Sequence, residues 1–340
     1  MNVPSLPIRS MSRSRPGGER AGIAVGLINN MADQALKITE RQFGSVVFEA
    51  AGDIDISFRI FALKSTPRSR RAQEYIDARY EAASAAMDGE LDALIITGAQ
   101  PQADRLTDEP YWKELVELIE WAKLHTASTI LSCLTAHAGV LHLDGIERRP
   151  LPEKCTGVFR FKAERTHPLV GKQGSVKLIP HSRYNGLSQN ELEQAGYVVL
   201  TSSPGNGVDS FVKCFGSQFV FLQGHPEYDA NSLAREYRRD MDRYLRGEIE
   251  RKPARPSGYF AAEAEAELRA MERSPQEDHR QVQIKDLSII DALAPAEATW
   301  RGAAIAFYRS WIETIADANT RTRAPLNAAI DELALPQYSG

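Results

Sequence analysis

The sequence predicts an α/β fold, a mostly parallel sheet with helices on both faces, carrying added antiparallel strands and a C-terminal helical extension. Three observations point there. AGIAVGLI at 21–28 and LDALIITG at 91–98 are short, largely apolar runs of the kind that form buried strands, and STILS at 128–132 reads as a further strand. They alternate with helix-like stretches, the order that builds a parallel sheet. From about 155 to 224 the pattern changes, and FVKCF and QFVFLQ flank Gly216-Ser217 as a hairpin.

Composition sets the outer limits. The 340 residues are 43% hydrophobic and 25% charged, with 41 Lys+Arg against 45 Asp+Glu and three cysteines. An odd number of widely spaced thiols without a C-x-x-C pair excludes a disulfide framework and a four-thiolate zinc site, and points to a reducing, cytoplasmic setting. No run approaches the roughly 18 to 20 apolar residues of a membrane-spanning helix, and mean hydropathy is −0.36. A pI near 6.0 offers no basic field for a nucleic-acid backbone.

Residues 1–20, with four Arg, four Ser and one acid but no clear amphipathic face, read as a disordered tail rather than a targeting peptide. Residues 21–250 read as one α/β domain and 251–340 as a helical extension packing on it. A first strand at 22–28 ends at Asn29-Asn30, and a helix follows over 32–43. A strand over 54–63 leads into the basic loop ALKSTPRSRR, and 73–88 reads as one helix. After the strand at 91–98, Glu109 and Pro110 open a helix with Leu115, Leu118, Ile119 and Ala122 at helical spacing. STILS then gives way to LTAHAGVLHLDG, a helix closed by Gly145. PHSRYN at 180–185 reads as a polar turn exposing Ser182 and Arg183. In DANSLAREYRRDMDRYLRG, Leu233, Tyr237, Met241 and Tyr244 form an inward stripe capped by Asp229. AAEAEAELRAMERS reads as a solvent-facing helix. TWRGAAIAFYRSWIETI is a helix packing through Ala304, Phe307, Trp311 and Ile315.

The chemistry gathers at strand ends. Cys133 stands where STILS meets the next helix, a turn that projects a side chain from the sheet edge and stabilises a thiolate. Leu134 there supplies a backbone N–H for a developing oxyanion. A buried structural thiol fits the same spacing, since Leu131 and Thr135 replace the glycines of G-x-S-x-G. GHPEYD at 224–229 also follows an apolar strand. There Glu227 can orient His225, which leaves either a Cys-His-Glu triad or a loop histidine with a solvated neighbour. Glu236 and Arg239 read as a salt-bridged surface pair or as site residues, and Lys154 as a surface lysine. His137 and His142, five apart, do not share a helix face and are read as packing residues. No metal site is expected. Cys155 and Cys214 read as packing or inert thiols.

Taken in order, TERQF at 39–43, ITGA at 96–99 with EPYW at 109–112, STILSC at 128–133, KCTGVF at 154–159, PHSRY at 180–184 and GHPEYDANSLAREYRRD at 224–240 resemble the homoserine O-acyltransferases of methionine biosynthesis. The likeness spans about residues 22–250, with a weaker match through TWRGAAIAFYRSW. It implies a flavodoxin-like fold related to class I glutamine amidotransferases. It also implies an acyl-accepting nucleophile at Cys133, a general base at His225 and its partner at Glu227. Lys154 and Ser182 match substrate-binding positions, Arg239 the arginine for the homoserine carboxylate, and Glu236 an acid near the site. The reaction so implied is ping-pong transfer from acyl-CoA to the L-homoserine hydroxyl, with no bound cofactor and with a homodimer as the expected assembly. Gln102 matches the acyl-specificity position, where Glu favours acetyl and Gly succinyl. Uncharged but bulky, it inclines the expectation to succinyl. An insertion around Ala32 to Leu36 lacks the family's lysine pair and marks a divergent branch. Serine as acceptor, a glutamine amidotransferase-like hydrolase and a non-catalytic binding protein remain as alternatives.

Overall fold

A computed structural model describes residues 22–272 and 287–333, so the expected tail at 1–20 lies outside the described residues. The strands of one mixed sheet run in the order β3-β2-β1-β4-β5-β10-β9-β8-β6-β7. Two compact units divide the chain, one holding the described residues up to Ile130, Cys214–Val220 and those from Ala306. The other holds Leu131–Lys213 and Phe221–Ile305.

The first unit is the parallel half. β1 (Ile23–Ile28) is buried throughout, as its unbroken apolar run requires, and pairs in parallel with β2 (Ile56–Ala62) and β4 (Ala93–Ile96). β2 pairs in parallel with the short β3 (Glu81–Ala82). The first helix, α1, runs over Leu36–Ala51 behind a single 3₁₀ turn at Asp33–Ala35. It continues past the expected end because Val46, Val47 and Ala50 keep its buried face going, and it stops at Gly52, where φ is +59°. The expected helix over 73–88 is two, α2 (Arg70–Arg79) and α3 (Ala83–Asp88). The break is at Tyr80, which turns extended, becomes buried and takes a hydrogen bond from Asn29 Nδ2 at 2.9 Å. Packing there outweighs helix propensity. α4 (Trp112–His125) buries the four residues its spacing marked, and leads into β5 (Ser128–Ser132).

The second unit holds α5 (Leu134–Asp144), closed by Gly145 in the left-handed conformation, and an antiparallel ladder. β6 (Arg149–Ala163) pairs with β7 (Val176–Gly186) and with β8 (Val198–Ser203), which pairs with β9 (Gly207–Cys214). Between β7 and β8 lies the short α6 (Gln189–Gln194). β9 and β10 (Gln218–Leu222) are neighbours joined by three residues, a connection too short for parallel strands. PHSRYN is therefore not a turn. It is the end of β7, with Ser182 opposite Thr156 and Arg183 opposite Cys155, and Arg183 is buried.

Three further expectations are corrected. Asn231, not Asp229, stands at the cap position of α7 (Ser232–Leu245), because the Ser232 N–H bonds the Asp229 carbonyl and closes one more turn first. Tyr244 is half-exposed, while Asp240 and Leu245 join Leu233, Tyr237 and Met241 on the buried face. α8 (Ala262–Glu272) is not wholly solvent-facing. Ala264 and Leu268 pack with Tyr237, Tyr259, Phe260 and Trp300, alongside Ile290 of α9 (Ser288–Ala292). The last helix, α10 (Arg301–Leu333), buries Ala304, Phe307, Trp311 and Ile315 as its spacing requires. Trp311 Nε1–H donates to Ser128 Oγ at 2.9 Å, tying this helix to the start of β5.

Candidate active site

Cys133 follows the buried strand β5 and begins α5. Its φ of 54° makes it the only non-glycine residue with positive φ among the described residues. A side chain there costs about 1–3 kcal/mol and persists only where the surroundings dictate the conformation. They do so here. The Cys133 N–H donates to the Leu222 carbonyl at 2.6 Å, and its own carbonyl accepts from Ala136 and His137. α5 can approach the sheet because residue 139 is glycine; a Cβ there would lie 2.4 Å from Leu131 Cδ1 and 3.1 Å from Phe221 Cε1. The glycines missing beside the cysteine are thus replaced by one a turn further on. Leu134 opens α5, so its N–H belongs to the first turn, whose donors have no partner within the helix.

The GHPEYD segment leaves β10 and brings His225 and Glu227 into the interior, 6% and 3% exposed. His225 Nδ1 lies 2.9 Å from Glu227 Oε1, leaving the other ring nitrogen to meet Cys133, with which His225 shares a hydrogen bond. Burial alone pushes the imidazole pKa down. The Cys133 sulfur and the Glu227 carboxylate outweigh that and hold it well above the ordinary histidine range. The ring stacks on Tyr228, centroids 4.2 Å apart and planes 16° from parallel.

Tyr228 also links this group to a second cluster. Its hydroxyl donates to Glu236 Oε1 at 2.6 Å, and the Ser182 hydroxyl donates to Glu236 Oε2. Lys154 Nζ is 3.9 Å from Glu236 Oε2 and donates to Asp240 Oδ2 at 2.8 Å. Arg239 forks onto Asp240 Oδ1 from Nε and an NH₂ group at 3.0 and 2.9 Å. Burial raises the Asp240 pKa, but the Lys154 ammonium and Arg239 guanidinium override it and hold the carboxyl below the usual carboxylate range. Burial, with Glu236 and then Glu227 and Cys133 nearby, pushes the Tyr228 phenol well above its ordinary value, so it stays a donor. The cluster is two cations and two anions on one wall, with Arg239 still 49% exposed.

Cys133, His225 and Glu227 are therefore brought together, and Ser182, Lys154, Glu236 and Arg239 form a chain of polar contacts reaching them through Tyr228. Gln102 belongs to the first unit, exposed, with its backbone N–H on Glu109 Oε1 at 2.8 Å. Two members went unnoticed in the sequence. Asp240 lies four residues after Glu236, a spacing that puts both on one helix face, and Tyr228 sits inside the GHPEYD motif. His137 is buried, its Nε2 2.8 Å from Gln223 Oε1, and burial lowers its pKa to about 4. Cys155 is half-buried beside Asn206, whereas Cys214 is exposed at the end of β9 and is not a packing residue.

A family model described as "HTS: Homoserine O-succinyltransferase" matches residues 8–321. A homoserine O-succinyltransferase of Rhodopseudomonas palustris is 44% identical over 297 residues, covering 86% of this chain and 88% of the relative. One of Methylorubrum extorquens is 40% identical over 92% of this chain and 95% of the relative, and one of Bradyrhizobium japonicum 41% over 91% and 97%. Among solved structures, a glutamine amidotransferase from Thermotoga maritima aligns over 86% of this chain and 98% of its own, at 12% identity and a TM-score of 0.45. By a match across most of its length, this chain belongs to the homoserine O-succinyltransferase family.

Proposed function

We propose that this protein transfers a succinyl group from succinyl-CoA to the hydroxyl of L-homoserine through a thioester on Cys133. The observation that carries the reading is the Cys133-His225-Glu227 group at a strained strand-to-helix turn, joined through Tyr228 to a wall with two positive and two negative side chains. The names of the relatives support succinyl over acetyl as the donor group.

His225 takes the Cys133 thiol proton, and the thiolate attacks the thioester carbonyl. The oxyanion meets the Leu134 N–H at the positive end of α5. As the tetrahedral intermediate collapses, the bond to the CoA sulfur breaks and His225 returns the proton to the leaving thiol. Entering and leaving groups are both thiols, so this exchange is nearly balanced in energy. Homoserine carries both charges the wall can meet, its carboxylate on the exposed side of Arg239 and its ammonium on Glu236. His225, held by Glu227, then removes the hydroxyl proton, and the alkoxide displaces Cys133 as the ester forms.

The test is a matrix of succinyl-CoA and acetyl-CoA against homoserine and serine, read by thiol release, with intact mass of the protein after donor alone. Succinyl-CoA with homoserine should give the highest kcat/KM, and donor alone a succinyl increment that Cys133→Ala abolishes. Full activity in Cys133→Ala would sink the mechanism; preference for another pairing would reassign the substrates.

A further inference from the structure

Behind the loop that carries His225 lies a second buried polar group with no part in the chemistry above. His181 is 0% exposed, Asp209 3% and Arg183 5%. His181 and Arg183 are on β7 and Asp209 on β9. Arg183 Nε donates to His181 Nδ1 at 3.2 Å, while its other two nitrogens donate to the carbonyls of Asn185 and Asn206. A guanidinium can only donate, so His181 Nδ1 is an acceptor and the ring proton of the neutral form is on Nε2. That nitrogen faces Asp209 Oδ1 at 3.2 Å, within reach of the carboxylate's charge. The ring is stacked on Phe161 with centroids 4.6 Å apart.

The far end of this group grips the catalytic loop. Asp209 Oδ1 accepts the Gly224 N–H at 3.1 Å, and Oδ2 accepts the Thr201 hydroxyl at 2.8 Å. The next N–H, that of His225, donates at 2.8 Å to the carbonyl of Pro180, the neighbour of His181. The fit tolerates only glycine: a Cβ at residue 224 would lie 2.6 Å from Asp209 Oδ1 and from Ile179 Cγ2, and 2.8 Å from His181 Nε2. Three charged groups face His181: Arg183 from its own strand, Asp209 from β9 and His225 from the loop after β10. Burial is the main influence disfavouring its charged form; Asp209 opposes this, and Arg183 and His225 reinforce it.

We propose that Arg183, His181 and Asp209 are positioning residues, a buried relay that fixes the Gly224–His225 backbone and so the His225 ring, with His181 acting as a neutral two-ended bridge. The relay rests on the functional reading above for its link to acyl transfer. A displacement of about 1 Å at a reacting group can cost on the order of a hundredfold in rate, which is the scale of effect the relay controls.

The test compares His181→Phe, which fills the space but breaks the bridge, with His181→Gln, which can accept from Arg183 at one end and donate to Asp209 at the other. Two measurements are made: steady-state kinetics with succinyl-CoA and homoserine, and iodoacetamide alkylation of Cys133 across pH, resolved by peptide mass spectrometry. His181→Phe should lower kcat and slow alkylation by about 10- to 100-fold, with the acceptor KM within about twofold. His181→Gln should recover most of both and keep the wild-type pH profile. Wild-type behaviour in His181→Phe would overturn the relay, and an equal loss in His181→Gln would overturn the neutral bridge in favour of a titrating role. Should His181→Phe fail to fold, Asp209→Asn keeps the shape but not the charge, and should show an intermediate loss in alkylation rate; no loss there overturns the proposal. Alkylation needs no acyl-CoA, so the two readings fail separately. Dependence on His181 in a protein inactive with every donor would sink the acyl-transfer reading alone, and an active enzyme indifferent to His181 would sink the relay alone.

Discussion

At Cys133 the backbone and the side chain make opposing demands. The turn needs a conformation open to glycine, while the proposed chemistry needs sulfur. Cys133→Gly should therefore be more stable than Cys133→Ala by about 1 kcal/mol, the released strain offset in part by the entropy of glycine in the unfolded chain. Thermal melting of the two variants checks this, and equal melting temperatures would mean that the turn is unstrained. His225 gives a second prediction. Its pKa in the folded protein lies above its unfolded value, so the stabilisation it contributes is complete at low pH and is lost as pH rises through the raised value. Cys133→Ala removes one cause of the shift, so its melting temperature should fall less steeply on the alkaline side than that of wild type. His137 has the opposite sign. With a pKa of about 4 against roughly 6.5 when unfolded, its contribution is present above about 6.5 and is lost as pH falls toward 4, a change on the order of 3 kcal/mol. His137→Gln should flatten that acid limb in a melting-temperature series.

At the scale of elements, the sheet edge that carries Cys133 depends on how closely α5 lies against it. Gly139→Ala improves intrinsic helix propensity by about 1 kcal/mol, yet its methyl would fall 2.4 Å from the buried Leu131. Overpacking of about 1–3 kcal/mol should win, seen as a lower denaturant midpoint with unchanged slope. The parallel strands were legible in the sequence because a strand buried on both faces leaves an unbroken apolar run, as in β1 and β4. The end of β7 was not, because PHSRYN is polar. Those residues enter the interior as a mutually satisfied network, which no periodicity of apolar residues reports. The closeness of Cys133 to His225 was legible for a related reason: each stands just past the end of a buried strand, and strand ends converge. The partnership of Lys154 with Asp240 was not, since the two residues lie 86 apart in sequence and only tertiary packing joins them. The helix break at Tyr80 was lost in the same way, to a contact with Asn29 far along the chain.

At the scale of the whole molecule, the chain returns late to its beginning. Within the first unit α10 packs Trp311, fully buried, against Ser128 at the start of β5, and Arg309 reaches the Ala50 carbonyl of α1. Trp311→Ala should cost about 3–5 kcal/mol through the cavity and the lost hydrogen bond, and Trp311→Phe distinctly less. Calorimetric melting of the pair separates packing from the indole N–H. The three cysteines, first met as a count that excluded disulfides, also differ in access. Cys214 is exposed, while Cys133 and Cys155 are each half-covered. A coloured thiol reagent added to the native protein will therefore count Cys214 along with the proposed nucleophile, and its burst will overstate the number of working sites. Titration of the proposed site belongs on a Cys214→Ser background, where burial raises the Cys155 thiol pKa and slows its reaction, so that the first equivalent of released chromophore reports Cys133.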